Sequence, residues 1–518
     1  MKKPALKLLA ASITLALSHT ATAGTDVFFN PLTQSAAVAS PNHVNELFSP
    51  WQAPAGVSQE LLLSLHTVEA QIEQSIVRVP GLGSGASMFD MVAFDDTGRF
   101  IFIPHETQNG AGVTRYDVDG DFAEVLFSGD TDGKNGDWSN DFGAFDPSLY
   151  TPNGTVMAGE EWSGQGRIVE ILNPMADADD IEIRELTSIP NTSHEGLRFS
   201  HDGGTLYFVD ENNSGSLYKI VFTDPSDYAA GGQPFVLKTD AFNGDASANW
   251  NTFTQEERVG AAHWVALTDT AGNPLTVQDP YDNSGGPGNQ AGRVAADEVQ
   301  ATPYGRPEDM EVATHRSGDE MVFFSATSEN AVYSVQTLPD GSAFVRLAAK
   351  HGITPYNLDY PPTTGRLNSP DNLAQDALGN IYVIEDAPNG SDVGGDIWFL
   401  RDADNDGEAE SLDHFLSIQV DGAEATGMIF NPTRPTEFVV AVQHPDSTNL
   451  DNVEDGFGDA LWRFDLSNVV APPCPDIADD DHHGHKGEGK RRKGRKGPRT
   501  CEQRQDATFV RMLNKANR

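Results

Sequence analysis

The chain has 518 residues and a formal net charge of −43, from 77 Asp/Glu against 34 Lys/Arg. Its basic residues gather at the ends, with Lys2, Lys3 and Lys7 at the start and 12 Lys/Arg from Lys486 to Arg518, which leaves a body near −55. Such a body repels phosphate backbones, which excludes nucleic acid as its partner, and the absence of cysteine before Cys474 excludes disulfides and thiol chemistry from it.

Residues 1–23 read as a signal peptide: lysines, an apolar run, then Ala21-Thr22-Ala23 ahead of Gly24. Export to the periplasm or beyond the cell follows. No later stretch offers the ~18–20 apolar residues that span a bilayer, so no transmembrane anchor is expected. Residues 24–83 form a mixed N-terminal segment with a helix predicted near Ser58–Glu73 and a loop over PNHVNELFSPW.

From 84 to 468 one plan recurs six times: strand, Asp/Gly/Pro turn, strand, loop, third strand. The units begin near Asp90, Asp146, His194, Glu308, Asp371 and Glu424. Their short runs of Val, Ile, Phe and Tyr, punctuated by Gly and Asp, read as strands. Radial stacking of such units predicts an all-β, six-bladed β-propeller, with a two-sheet sandwich as the competing architecture. Residues 224–303, rich in Gly, Asn, Asp and Pro, read as an insertion forming a subdomain or lid. The tail, 469–518, reads as disordered and basic, a contact for anionic surfaces. Cys474 and Cys501 could pair within it, and His482, His483 and His485 could bind a transition metal.

One acid precedes the first strand of each unit (Asp90, Asp146, Glu195, Glu308, Asp371, Glu424), and others close the second (Glu106, Glu160, Glu161, Asp210, Glu211, Glu329, Glu385, Asp386). Both places lie at the same end of an antiparallel hairpin, so the acids converge on one rim. Crowded carboxylates repel, and calcium, which accepts six to eight oxygens, relieves that repulsion. Asn212, Asn330 and Asn372 could add neutral oxygens. Asx turns and strand-end caps are the competing account for any one acid. Separately, Asp402, Asp404 and Asp406 ahead of Gly407, with Asp413 in the twelfth position, resemble the start of a calcium loop, although strand-like sequence flanks it. Arg306 beside Glu308 could grip an anion bidentately, and His105, His194 and His444 adjoin the rim. The chain has no GxSxG elbow, HExxH helix or P-loop.

Several motifs resemble the PhoX family of secreted alkaline phosphatases: PHET (104–107), GTVMAGEEW (154–162), TSHEG (192–196), GRVAADEVQATPYGRPED (292–309), SPDNLAQDALGNIYV (369–383), EATGMIFNP (424–432) and VQHP (442–445). The resemblance implies a six-bladed propeller that hydrolyses phosphate esters at calcium and iron ions, with Glu106, Glu161, Glu195, Glu308 and Asp371 as ligands and Arg306 on the phosphate. The expected site therefore comprises Arg306 and Glu308 as catalytic residues and Arg306 with His194 for substrate. Its metal ligands are Glu106, Glu160, Glu161, Glu195, Glu308, Asp371, Asn372, Asp402, Asp404 and Asp406. Two departures stand out. Gly159-Glu160-Glu161 replaces the family's Cys-Glu-Glu, and the start lacks a twin-arginine signal. Both point away from a thiolate-bound iron pair, toward calcium, or iron held by carboxylates alone. The expected substrate is a phosphorylated small molecule. The alternatives are a non-catalytic calcium-binding propeller at the cell surface and a calcium propeller acting as phytase or lactonase.

Overall fold

Strands that are apolar on both faces must be covered on both faces, and FIFIP, TLYFV and FVVAVQ are such strands. In the computed structural model they run through the middle of antiparallel sheets. The structure describes residues 27–38, 49–71, 88–250, 258–286, 290–444 and 458–470. The signal peptide, both cysteines and the basic tail lie outside the described residues. Among those described, no helix is long and apolar enough to cross a membrane.

The N-terminal strands are β1 (Trp51–Gln52) and β2 (Ser58–Ser64), followed by α1 (Leu65–Gln71). The helix expected from Ser58 is thus strand for its first half, because β2 finds an open sheet edge to pair with. A first meander runs β3 (Ala93–Phe94), β4 (Phe100–Pro104), β5 (Gly112–Asp117) and β6 (Phe122–Ser128). The second is β7 (Phe145–Tyr150), β8 (Val156–Glu160), β9 (Ile168–Ile171) and β10 (Ile183–Glu185). A nine-stranded sheet follows. It holds one meander, β11 (Leu197–Phe199), β12 (Thr205–Val209), β13 (Leu217–Phe222) and β14 (Gly232–Thr239), and then β15 (Gly260–Ala266). After α2 (Ala291–Glu298) a second meander in the same sheet runs β16 (Pro307–Thr314), β17 (Glu320–Ala326), β18 (Ala331–Thr337) and β19 (Ala343–Lys350). The strand β15 pairs with both β14 and β19 and so joins the two. Residues read as insertion therefore supply two strands and a helix.

The last two sheets are β20 (Pro370–Gln375), β21 (Ile381–Glu385), β22 (Asp396–Arg401), β23 (Ser411–Ile418) with β1 on its edge, and β24 (Glu424–Phe430), β25 (Glu437–Gln443), β26 (Ala460–Asp465) with β2. Pairing of β2 with β26, Leu61 opposite Trp462, joins the two ends of the body.

The apolar cores lie between successive meanders. Val439 and Leu461 meet Phe89 and Ile101; Phe102 and Val113 meet Phe145 and Val169; Met157 meets Phe208; Tyr207 meets Phe324; Phe323 meets Val383 and Trp398; Tyr382 meets Phe430 and Phe438. Each fully buried Phe of this kind contributes ~1.5–3 kcal/mol. The arrangement is all-β and propeller-like, and it brings the first strand of each meander to the inside.

Candidate metal centre

Four of those inner strands carry a β-bulge. The register slips between Phe145 and Ser148, Pro307 and Met310, Pro370 and Leu373, and Thr426 and Ile429. A bulge frees one residue from the ladder and re-aims its side chain. Three bulges hold Asp146, Glu308 and Asp371, which enter the clusters described next. The residues after Glu308 and Asp371 tie neighbouring inner strands together. Asp309 Oδ2 accepts from Leu373 N at 3.0 Å, and Asn372 Oδ1 accepts from Gly427 N at 2.9 Å. After Glu195 comes Gly196, where a Cβ would sit 2.9 Å from Asp309 Cα; glycine there lets the two strands approach.

The second strands contribute by alternation, since successive side chains point to opposite sides. In Glu160-Glu161, Asp210-Glu211 and Glu385-Asp386 the first acid turns into the sheet and the second to the rim. Carboxylate oxygens then gather within 4.8 Å of one another in four sets. Asp90, Glu106 and Asp146 form one; Asp146, Glu161 and Glu195 a second; Glu195, Glu211 and Glu308 a third. Shared members link these three into one arc. Asp371, Asp386 and Glu424 form a separate set.

For most of these carboxyls burial disfavours the charged form, and neighbouring acids add to it. Asp90 is pushed well above the carboxylate range by burial and then by Glu106 and Glu424. Asp146, Glu161, Glu195, Asp371 and Glu424 are pushed the same way for the same reasons. Glu211 reaches about 8 through burial and Glu308, with Arg306 pulling against them. Oxygens of Asp146 (Oδ1), Glu161 (Oε2) and Glu308 (both) are buried without a hydrogen bond. An unsatisfied buried carboxylate oxygen is costly, and here the oxygens sit together. Residues so placed fit hard, oxygen-seeking cations.

Donors at the margin satisfy other oxygens. Trp162 Nε1 donates to Glu106, Gln443 Nε2 to Asp90 at 3.1 Å, and His444 Nε2 lies 3.1 Å from Glu424. Arg306 Nε donates to Glu211 and lies 3.3 Å from Glu308 Oε1. Its side chain is 34% exposed, while that of Glu308 is fully buried. The site thus presents a guanidinium above buried carboxylates.

The family model of alkaline phosphatase PhoX matches residues 106–357 and 354–446. The chain belongs to the alkaline phosphatase PhoX family. That makes it a phosphoric-ester hydrolase. No curated protein matches it. Among solved structures it is similar to virginiamycin B lyase from Staphylococcus aureus, at 10% identity and TM-score 0.38, covering 79% of this chain and 99% of that one. A gluconolactonase from Xanthomonas campestris gives 12% and 0.37, covering 86% and 98%. Regucalcin, a calcium-binding protein from Agrobacterium tumefaciens, gives 11% and 0.38, covering 73% and 92%. Likenesses at these scores carry nothing about function.

Against the PhoX-derived expectations, Glu106, Glu161, Glu195 and Glu308 lie on the arc, Asp371 lies in the separate set, and Arg306 stands beside Glu308. Several other predicted residues are turned elsewhere. Glu160 is spent on a buried fork from Arg167 (Nη2–Oε1 2.6 Å) and on three backbone N–H groups. Asn372 is the strand tie already described. His194 is fully buried against Phe208, its backbone N–H bonded to Glu160 O, and burial lowers its ring to about 4, so it offers substrate no positive charge. His105 is likewise buried, beside Thr114 Oγ1 at 2.7 Å, and lowered to about 3. Asp402 accepts from the backbone of Asp406 and Gly407, while Arg316 Nη1 lies 2.6 Å from Asp404 and 3.3 Å from Asp406. Those three acids cluster, but a cation of the protein's own already sits on two of them, Asp404 and Asp406.

Asp90, Asp146, Glu211, Asp386 and Glu424 join the clusters although the expected ligand set lacked them. The two-place recurrence of acids was their signal. Trp162 and Gln443 had none beyond lying in PhoX-like motifs. At Gly159, where the family pattern has cysteine, a Cβ would sit 2.8 Å from His194 Cβ and 3.0 Å from Pro147 Cγ.

Proposed function

We propose that this PhoX-family chain is an exported phosphatase that hydrolyses phosphate monoesters at a calcium-bearing rim on a six-bladed propeller. The two meanders of the nine-stranded sheet count as two blades joined at their outer edges by β15, which makes six with the other four sheets. The observation that carries the reading is the arc of buried carboxylates with unsatisfied oxygens under a partly exposed arginine. All its clustered donors are carboxylate oxygens, and Gly159 leaves no room for a thiol unless His194 moves. That set favours calcium over iron.

Arg306 would take the phosphoryl oxygens through its guanidinium, with Glu211 and Glu308 fixing the plane of the fork. Glu106, Asp146, Glu161, Glu195 and Glu308 would hold cations along the arc, and Asp371, Asp386 and Glu424 another beside it. Bound there, such cations supply neutralisation of phosphoryl charge and an oxygen nucleophile at neutral pH. As charge builds on the transferring group, Arg306 remains oriented and needs no reorganisation to stabilise it.

The test is hydrolysis of a chromogenic phosphomonoester by the folded full-length chain, with calcium and after chelation. Calcium-dependent turnover supports the reading; folded protein without turnover under any metal condition contradicts it. Phytate and a lactone in the same assay separate the other propeller hydrolases.

A further inference from the structure

The stretch between the third and fourth meanders docks on both sides of Arg306. Arg306 is a non-glycine residue with left-handed backbone, φ 52°, a conformation that persists only where neighbours over-determine it. Its N–H donates to Asn212 O at 3.1 Å and its carbonyl accepts from Thr327 N at 3.0 Å.

On one side stands Arg258, buried, with its guanidinium forked onto Glu329 (Nη1–Oε1 2.6 Å) and Nη1 donating to Pro303 O at 3.0 Å. Its guanidinium carbon lies 4.8 Å from the centre of the Trp250 ring. Glu329 passes the contact on, for its Oε1 also accepts from Gly305 N at 2.7 Å, one residue before Arg306. Gly305 has no room for a side chain: a Cβ would lie 2.9 Å from Glu329 Cγ and 3.1 Å from Trp250 O.

On the other side Arg293, in α2, forks onto the fully buried Asp210 at 2.6 and 2.7 Å. Asp210 immediately precedes Glu211, the acceptor for Arg306 Nε. Trp250 N closes the frame by donating to Asn213 O at 2.6 Å, beside the Asn212 carbonyl that holds Arg306.

We propose that Arg258 and Arg293 are positioning residues for phosphate recognition, bracing Arg306 through Glu329–Gly305 and Asp210–Glu211. This rests on Arg306 being the group that takes the phosphate. Buried ion pairs add little net stability over apolar packing, and these two flank one strained residue from opposite sides. Lysine keeps the charge of either arginine but loses the planar fork that fixes its partner.

The experiment is calorimetric titration of the calcium-loaded full-length protein with inorganic phosphate. Arg258→Lys and Arg293→Lys should each weaken phosphate about tenfold or more, since small misplacements of a binding group are costly, with metal content unchanged. Combined with Arg306→Ala, neither should add a further loss, because both act through that residue. Full phosphate affinity in the lysine variants, with Arg306→Ala impaired, overturns the brace alone, as do multiplicative losses in the doubles. Undiminished affinity in Arg306→Ala overturns the reading of Arg306 and the brace with it. Should Arg258→Lys fail to fold, Arg293→Lys carries the same test from the other side.

Discussion

The rim and the loop Asp402–Asp406 both bring three or more carboxylates within 4.8 Å, yet their surroundings differ in kind. At the rim seven of the ten acids are buried, Glu211, Asp386 and Glu424 being partly so, and oxygens of Asp146, Glu161 and Glu308 have no hydrogen bond. In the loop, backbone N–H groups serve Asp402, and Arg316 serves Asp404 and Asp406. Crowding alone therefore does not define a cation site. What marks the rim is desolvated carboxylate in excess of the Arg306 guanidinium that pairs with Glu211 and Glu308.

The contrast is broken most sharply by substitution at the rim. Glu308→Gln and Arg306→Ala should each lower kcat/KM on a phosphomonoester by about a hundredfold or more, the scale of losing one positioned electrostatic group. Asp402→Asn should leave it within about twofold. Equal losses at both places would erase the distinction.

Stability against pH gives the next largest effect. Carboxyls in an unfolded chain ionise near pH 4, whereas burial holds Asp90, Glu106, Asp146, Glu161, Glu195, Asp371 and Glu424 higher and Glu211 at about 8. In chelated protein the unfolded state loses its protons first, so stability present at low pH is lost as pH rises through the folded values. The melting temperature after chelation should fall between about pH 5 and 9, and calcium should abolish that fall. A flat profile in chelated protein would mean that the rim acids are already compensated.

A smaller effect is expected at Gly159. With a Cβ 2.8 Å from His194 Cβ, Gly159→Cys should destabilise by ~1–3 kcal/mol through overpacking and gain no thiolate–iron absorption. Denaturant midpoints and a visible spectrum check both. Smallest of all, Asp404→Asn should change stability by under ~1 kcal/mol, because its pair with Arg316 is exposed, and bound calcium should be unaltered.

Strand periodicity and the recurrence of acids made the sheets and the rim readable from the chain, because both are set by local pattern. Which member of Asp210-Glu211 faces the rim was not readable, since it depends on Arg293, 83 residues away, taking the other. At Glu160-Glu161 the arginine that does so, Arg167, is seven residues on, but its fork onto Glu160 forms only once the strands pair. The bulges that aim Asp146, Glu308 and Asp371 are likewise products of pairing between strands. Asn372 looked like a ligand because its amide oxygen is one; its contact with Gly427 N exists only once two inner strands lie side by side. The loop at Asp402 carried a good local motif, and Arg316, more than 80 residues away, decided its state. Strand β2 read as helix because its partner, β26, lies at the far end of the body.

The most direct test of the rim as the cation site is elemental analysis of the purified full-length chain beside Glu195→Gln and Asp402→Asn. The account predicts stoichiometric calcium in the parent and in Asp402→Asn, and a clear loss in Glu195→Gln. Calcium absent from the folded parent, or lost with Asp402→Asn and kept with Glu195→Gln, would contradict it.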